Sequence, residues 1–393
     1  MQQQDAFDFK KIAIPAFGPS LFYGLSNGAI LPVVALTARD LGASVAMAGL
    51  IAALIGIGSL LSNIPSALLT ERYGEKRAMA GAAGLSVIGL LLAVTAPHVW
   101  VLAVAMLMQG IAQSVFQLAR QSYMIEVVPL RLRARALSTL GGTTRIGVFV
   151  GPFAGAALIH FMGLDGAYWV AIAAMLLAGL IALTTPDMEP KPATGGDAPQ
   201  RVGIAQVARS HGKVYMTLGV GVMLVSALRA SRQVVIPLWA DHLGLDATTT
   251  SLIYGLVAAV DMSVFYPAGK VMDLRGRLWV ALPCTLLMGL SLMAIPLTGG
   301  MASFVLVSLL LGFGNGIGSG IVMTLGADSA PPQARTQFLG IWRFMADLGS
   351  SGGPVALSGL TALMSLGAAS FGVGTLGLIA AAVFWRWLPR RTQ

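Results

Sequence analysis

The sequence predicts an all-α integral membrane protein of twelve transmembrane helices in two six-helix bundles, from three observations. Of its 393 residues 56% are hydrophobic and only 10% charged, with a mean hydropathy of +0.79, whereas soluble domains carry roughly 25% charged residues. Apolar stretches of the roughly 20 residues that a bilayer core requires recur twelve times. The second half of the chain repeats the helix-breaking and polar residues of the first in a constant register.

The first span, 12–37, follows Lys10 and Lys11. Its polar lead-in lacks the form of a cleaved signal, so this helix itself is expected to direct insertion. The second span, 45–69, runs into Glu71 and Arg72, and the third, 78–96, starts after Lys76 and Arg77. The fourth, 99–126, ends at Glu126; the fifth, 136–160, follows Arg131, Arg133 and Arg135; the sixth, 166–185, closes on Pro186. Pro186 to Lys213 is the one long polar interruption and, with Lys191-Pro-Ala-Thr-Gly-Gly-Asp-Ala-Pro in its middle, reads as a flexible linker. Six further spans follow at 214–240, 248–270, 278–298, 302–326, 336–362 and 366–388. The organisation predicted is an N-terminal bundle at 1–186, a cytoplasmic linker loop at 187–212 and a C-terminal bundle at 213–393.

Charge placement sets the topology. Of the 25 Lys and Arg, 19 fall in loops on one side and only Arg39 on the other, with Arg120, Arg145, Arg229, Arg232 and Arg343 inside or near the ends of spans. The positive-inside rule then puts both termini and the linker in the cytoplasm, and the formal charge of +9 needs no nucleic-acid partner. The single cysteine, Cys284, excludes a disulfide framework, and the four scattered histidines give no metal site. No nucleophile or acid/base pair of suitable spacing is present, so neither an enzyme nor a cofactor is expected.

An offset of 202 residues superposes the halves. It pairs Leu41-Gly42 with Leu243-Gly244, Pro65 with Pro267, Gly74 with Gly276, Gly110 with Gly312, Pro129 with Pro331 and Gly151-Pro152 with Gly353-Pro354. Two halves of like orientation, related by an axis along the membrane normal, are the plan of alternating-access transporters, with the substrate path between them.

The loop after the second span reads Ala67-Leu-Leu-Thr-Glu71-Arg72-Tyr-Gly74-Glu75-Lys76-Arg77, and its repeat reads Gly269-Lys-Val-Met-Asp273-Leu-Arg275-Gly276-Arg277. Both resemble the cytoplasmic loop motif Gly-x-x-x-Asp-Arg-x-Gly-Arg-Arg of the major facilitator superfamily, with Ala67 and Glu71 as departures. The resemblance implies the major facilitator fold and a cytoplasmic gate made by Glu71, Arg72, Gly74, Arg77 and Glu126, and again by Asp273, Arg275, Gly276 and Arg277. The bland alternative is a set of interfacial charges that fixes topology. In the fifth span Gly147, Gly151, Pro152 and Gly155 resemble the Gly-x-x-x-Gly-Pro-x-x-Gly-Gly motif of the family's drug/proton antiporters, which implies export; Ala156 breaks it, and close helix packing alone would also account for the glycines. In the fourth span Gln109-Gly110 keeps part of an antiporter Arg-x-x-Gln-Gly motif but lacks its arginine.

An ionisable group inside the bilayer costs at least about 2.5 kcal/mol and needs a partner or a purpose. Gln109, Gln113 and Gln117 recur every four residues on one face of the fourth span. Tyr23 and Asn27 mark the first span, Arg145 the fifth, Arg229, Arg232 and Gln233 the seventh, Asn315 the tenth and Arg343 the eleventh. These are the expected cavity residues, hydrogen bonding between helices being the alternative. Asp261 and Asp347 are the candidate proton carriers: Asp347 has Arg343 or Arg145 as possible partners, and Asp261 has no base at helical spacing on its own helix.

The expected protein is a transporter of the bacterial inner membrane, monomeric and embedded in lipid. It exports small amphipathic drug-like molecules, driven by the proton gradient with no cofactor, or moves an organic anion or lipid-like acid through an arginine-lined cavity.

Overall fold

A computed structural model describes residues 9–128, 133–185, 204–331 and 334–388. Pro129, Arg131 and most of the linker lie outside the described residues. Among the described residues there is no strand.

The first span is α1 (Phe9–Ile30) and α2 (Val34–Asp40), interrupted where Pro32 cannot donate a backbone hydrogen bond. There follow α3 (Val45–Tyr73), α4 (Glu75–Val94), α5 (Val99–Val127), α6 (Arg133–Met162) and α7 (Asp165–Thr184). After the linker, α8 (Ile204–Ser210) and α9 (Gly212–Val214) lead through one π-helical turn into α10 (Val220–His242). The remainder is α11 (Ala247–Arg275), α12 (Leu278–Ala294), α13 (Met301–Ile317), α14 (Ile321–Ser329), α15 (Arg335–Leu363) and α16 (Leu366–Trp387).

Among the described residues, 11 helical stretches are long and apolar enough to cross a bilayer. The twelfth, α15, has the length, 29 residues, but carries Arg335, Arg343, Asp347 and Gly349-Ser350-Ser351-Gly352-Gly353, which lower its hydropathy. Large apolar side chains such as Ile64, Leu68, Phe161, Leu297 and Leu363 are exposed, as a lipid-facing surface requires. Exposed Trp100, Trp279, Trp385 and Trp387 sit at span ends, where indole rings favour the headgroup layer.

Two compact units form: residues 1–30 with 61–190, and residues 31–60 with 191–393. Within the first, α1 packs on α6 and α7, and α4 on α5 and α7. Within the second, α10 packs on α15 and α16, and α12 on α13 and α16, the same scheme at the repeat positions. Contact glycines recur too. A methyl on Gly147 or Gly151 would strike the carbonyl oxygens of Leu21 and Leu25; on Gly349 or Gly353 it would strike those of Met223 and Ala227. All four pairs keep the offset of 202.

The turns repeat as well. Gly42 and Gly244 have φ of 84° and 72°, and Gly74 and Gly276 of 78° and 97°, a region in which side chains are strained. Just beyond the first pair, Ser44 Oγ accepts the Met47 amide at 3.2 Å and Asp246 Oδ2 the Thr249 amide at 3.3 Å, capping α3 and α11.

Candidate functional site

In the first unit the polar face of α5 meets α1 and α4. Ser86 donates its hydroxyl to Gln109 Oε1 at 2.7 Å, and Gln109 Nε2 donates back to the Ser86 carbonyl at 2.7 Å. Beside this closed pair lies a pocket of about 10 Å³, room for one water molecule, lined by Tyr23, Ser26, Asn27, Ser86, Gln109, Gln113 and Met175. Four of the sequence-predicted cavity residues thus come together. Asn27 also turns its amide back to the Tyr23 carbonyl at 3.2 Å. Gln117 and Arg145 are half-buried in α5 and α6.

Tyr23 stacks on Phe116 at 5.0 Å, and the Arg120 guanidinium carbon lies 5.2 Å from the centroid of the Tyr23 ring. Arg120 is 7% exposed, donates through Nη1 to Thr144 Oγ1 at 2.7 Å, and has an Nε with no hydrogen-bond partner. The sequence reading placed Arg120 inside or near the end of a span without assigning it to the cavity.

In the second unit the polar residues carry charge. Asp261 on α11 accepts Asn315 Nδ2 of α13 at 2.6 Å and lies 3.7 Å from Arg232 Nη2 of α10. Gly316 permits this approach, because a side chain there would strike the Asp261 backbone. The acid that lacks a base on its own helix therefore finds one on α10. Its other oxygen, Oδ1, is buried with no hydrogen-bond partner, as are Nε and Nη1 of Arg232.

Arg229 meets a broken helix. Between α13 and α14 the chain turns at Gly318-Ser319-Gly320, and Arg229 Nη2 donates to the Gly318 carbonyl. A guanidinium suits the negative end of α13. A side chain at 318 would strike Cys284 Sγ. Gln233 is half-buried, and Arg343 is 3.9 Å from Asp347 on the exposed side of α15.

Of the two loop motifs, the second forms a charge cluster. Arg277 donates to Asp328 at 2.9 Å, to Asp273 at 3.3 Å and to the Met272 carbonyl at 3.0 Å. The Asp328 hydrogen bond outweighs partial burial and holds Arg277 above the usual arginine range. Asp328 was not singled out from sequence, although it stands 202 residues after Glu126. Asp273 and Arg275 are exposed, Arg277 is half-buried and Gly276 is buried. In the first loop Glu71, Arg72, Arg77 and Glu126 are all exposed, with Arg72 over the Tyr73 ring at 5.5 Å. At the opposite ends of the helices, Arg39 pairs with Asp241 at 3.2 Å within the second unit, again residues 202 apart.

The sequence matches the family described as the Major Facilitator Superfamily over residues 19–354, and again over 218–393. An uncharacterized MFS-type transporter of Bacillus subtilis, YddS, is 26% identical, covering 91% of this chain and 86% of its own. The multidrug resistance protein MdtH of Klebsiella pneumoniae is 22% identical over 82% of this chain and 81% of its own. A solved POT family transporter, in complex with a thioalcohol-conjugated peptide, has a TM-score of 0.80 at 13% identity and covers 98% of this chain and 97% of that one. The fold of that structure, the repeat and both loop motifs agree: this chain belongs to the Major Facilitator Superfamily, a family of transporters.

Proposed function

We propose that the protein is a proton-coupled secondary transporter that works by alternating access and exports small amphipathic compounds from the bacterial cytoplasm, its termini inside. The carrying observation is Asp261, which joins α10, α11 and α13 through Arg232 and Asn315 while one carboxylate oxygen stays without a partner. Ionised, Asp261 holds the two helices to its own; protonated, it loses its charge attraction for Arg232, so proton binding alters how the three helices are held. Asp347, beside the exposed Arg343, is the second candidate carrier. Export is supported by the fifth-span glycine motif and by the similarity to the multidrug resistance protein MdtH. The two cytoplasmic loop motifs would latch the inner gate.

A second reading, transport of an organic anion, is favoured by Arg120, a buried cation whose hydrogen bond and ring contact are both with neutral groups. Proteoliposomes with an internal pH dye separate the two. If cationic drugs move protons and Asp261→Asn or Asp347→Asn abolishes this, the exporter reading stands with that carboxylate as carrier. A signal from anions alone, or unchanged behaviour in both variants, overturns it.

A further inference from the structure

We infer that the first unit holds an anchor for the acidic group of an amphipathic substrate, with Arg120 as its centre. The inference deepens the second reading, transport of an organic anion, and rests on it.

A buried charge persists where it is paired or used. Within the spans of the first unit no carboxylate stands to pair with Arg120: its acids are Glu71, Glu75, Glu126 and Asp165, all at helix ends, apart from those in the terminal and linker stretches. What the fold provides is geometry. Thr144 Oγ1 holds one nitrogen of the guanidinium at 2.7 Å, and the Tyr23 ring, itself stacked with Phe116, lies against it at 5.2 Å. Nε remains buried with no hydrogen-bond partner. A guanidinium held at one nitrogen and against a ring, with its Nε unused, suits a carboxylate, which takes charge-assisted hydrogen bonds from it. The neighbouring pocket, which shares Tyr23 as a wall, adds Asn27 and Gln113 for polar groups and Met175 for apolar ones. At this point of the repeat the second unit has Val322, whose carbonyl accepts Trp342 Nε1 at 2.8 Å. The second unit thus lacks a cation at this position, and its own buried arginines are engaged, Arg232 with Asp261 and Arg229 with the Gly318 carbonyl, so the acid end of the substrate is assigned to the first.

The test is equilibrium binding to detergent-solubilised protein, without a proton gradient, using radiolabelled decanoate and decyltrimethylammonium as probes of equal chain length. Decanoate is expected to bind tighter than the cation. Arg120→Gln should weaken decanoate at least about tenfold, the loss of a charge-assisted hydrogen bond, and leave the cation unchanged. Arg120→Lys should bind with intermediate affinity, because charge survives without the planar fork. Tyr23→Leu, which removes the ring beneath the guanidinium, guards against misfolding of one variant and should weaken decanoate in the same direction. Equal binding of the two probes, or wild-type decanoate affinity in folded Arg120→Gln, overturns the inference while leaving proton-driven drug movement untouched. Arg120-dependent decanoate binding without proton movement in vesicles sustains it and defeats the coupling reading instead.

Discussion

At one point of the repeat, the fourth span runs unbroken through Phe116, Gln117 and Leu118, whereas the tenth is interrupted at Gly318, Ser319 and Gly320. The two triplets lie 202 residues apart. In α5 the bulky residue stacks on Tyr23; in the second unit the vacated space is taken by Cys284 and Arg229. The same contrast runs through both sites, since the first unit keeps amides and an arginine without a paired acid and the second an Arg232–Asp261 pair. Duplication has thus preserved the contact glycines and turns that set helix spacing and let the polar interior diverge.

The largest test of that comparison concerns what is shared. Gly151→Leu and Gly353→Leu each place a side chain against a neighbouring backbone carbonyl, and each should cost about 3 kcal/mol or more in thermal unfolding in detergent. Gly141→Ala and Gly352→Ala meet open space and should stabilise by up to about 1 kcal/mol, the helix propensity difference. A tolerated Leu at only one of the paired positions would break the repeat as a packing unit.

What differs comes next in size. Gly318→Ala should cost about 1–3 kcal/mol because its methyl meets Cys284 Sγ. Cys284→Ala in the same chain should recover part of that, a coupling that a double-mutant cycle measures. Additive costs would mean that the Cβ of residue 284 and Arg229 Nη2, and not the thiol, exclude a side chain at 318.

The two loop motifs are closely similar in sequence yet differ in their contacts. Arg277 bridges Asp273 and Asp328, but the offset puts Glu75 at its place in the first loop, so an acid stands where the second loop has its base. Arg277→Gln should therefore cost about 0.5–1 kcal/mol, falling with added salt, and Arg77→Gln within about 0.5 kcal/mol of nothing. Equal losses would indicate a first-loop cluster as tight as the second.

Much of this was legible before any coordinates. Span positions followed from apolar length, and the offset of 202 anticipated the paired turns. What the sequence hides is which face of one helix meets which face of another. Asp261 has no base at i±3 or i±4, so its pairing with Arg232 depends on α10 lying beside α11. The break at 318–320 looked like continuous apolar helix because glycine is common in membrane spans. Two partners were within reach of the same register: Asp328 stands opposite Glu126, and Asp241 opposite Arg39.

The smallest contrast, resolved only by pH, separates two caps of identical position. Asp246 accepts the Thr249 amide, and that hydrogen bond holds its carboxyl below the usual range; Ser44 makes the equivalent bond with a hydroxyl that does not titrate. Because the folded-state pKa is depressed, Asp246's contribution is complete above the unfolded value of about 4 and is lost as pH falls through the folded one. Replacing either cap by Ala should cost about 1 kcal/mol at neutral pH. Below about pH 4 the Asp246→Ala difference should shrink while the Ser44→Ala difference persists. Asp246→Ser should hold the cap and remove its share of the acid sensitivity, and Ser44→Asp should introduce the same sensitivity into the first half. If the two alanine variants instead lose stability in parallel across that range, the helix start at 247 is held by its neighbours and the side-chain cap contributes nothing that pH can reach.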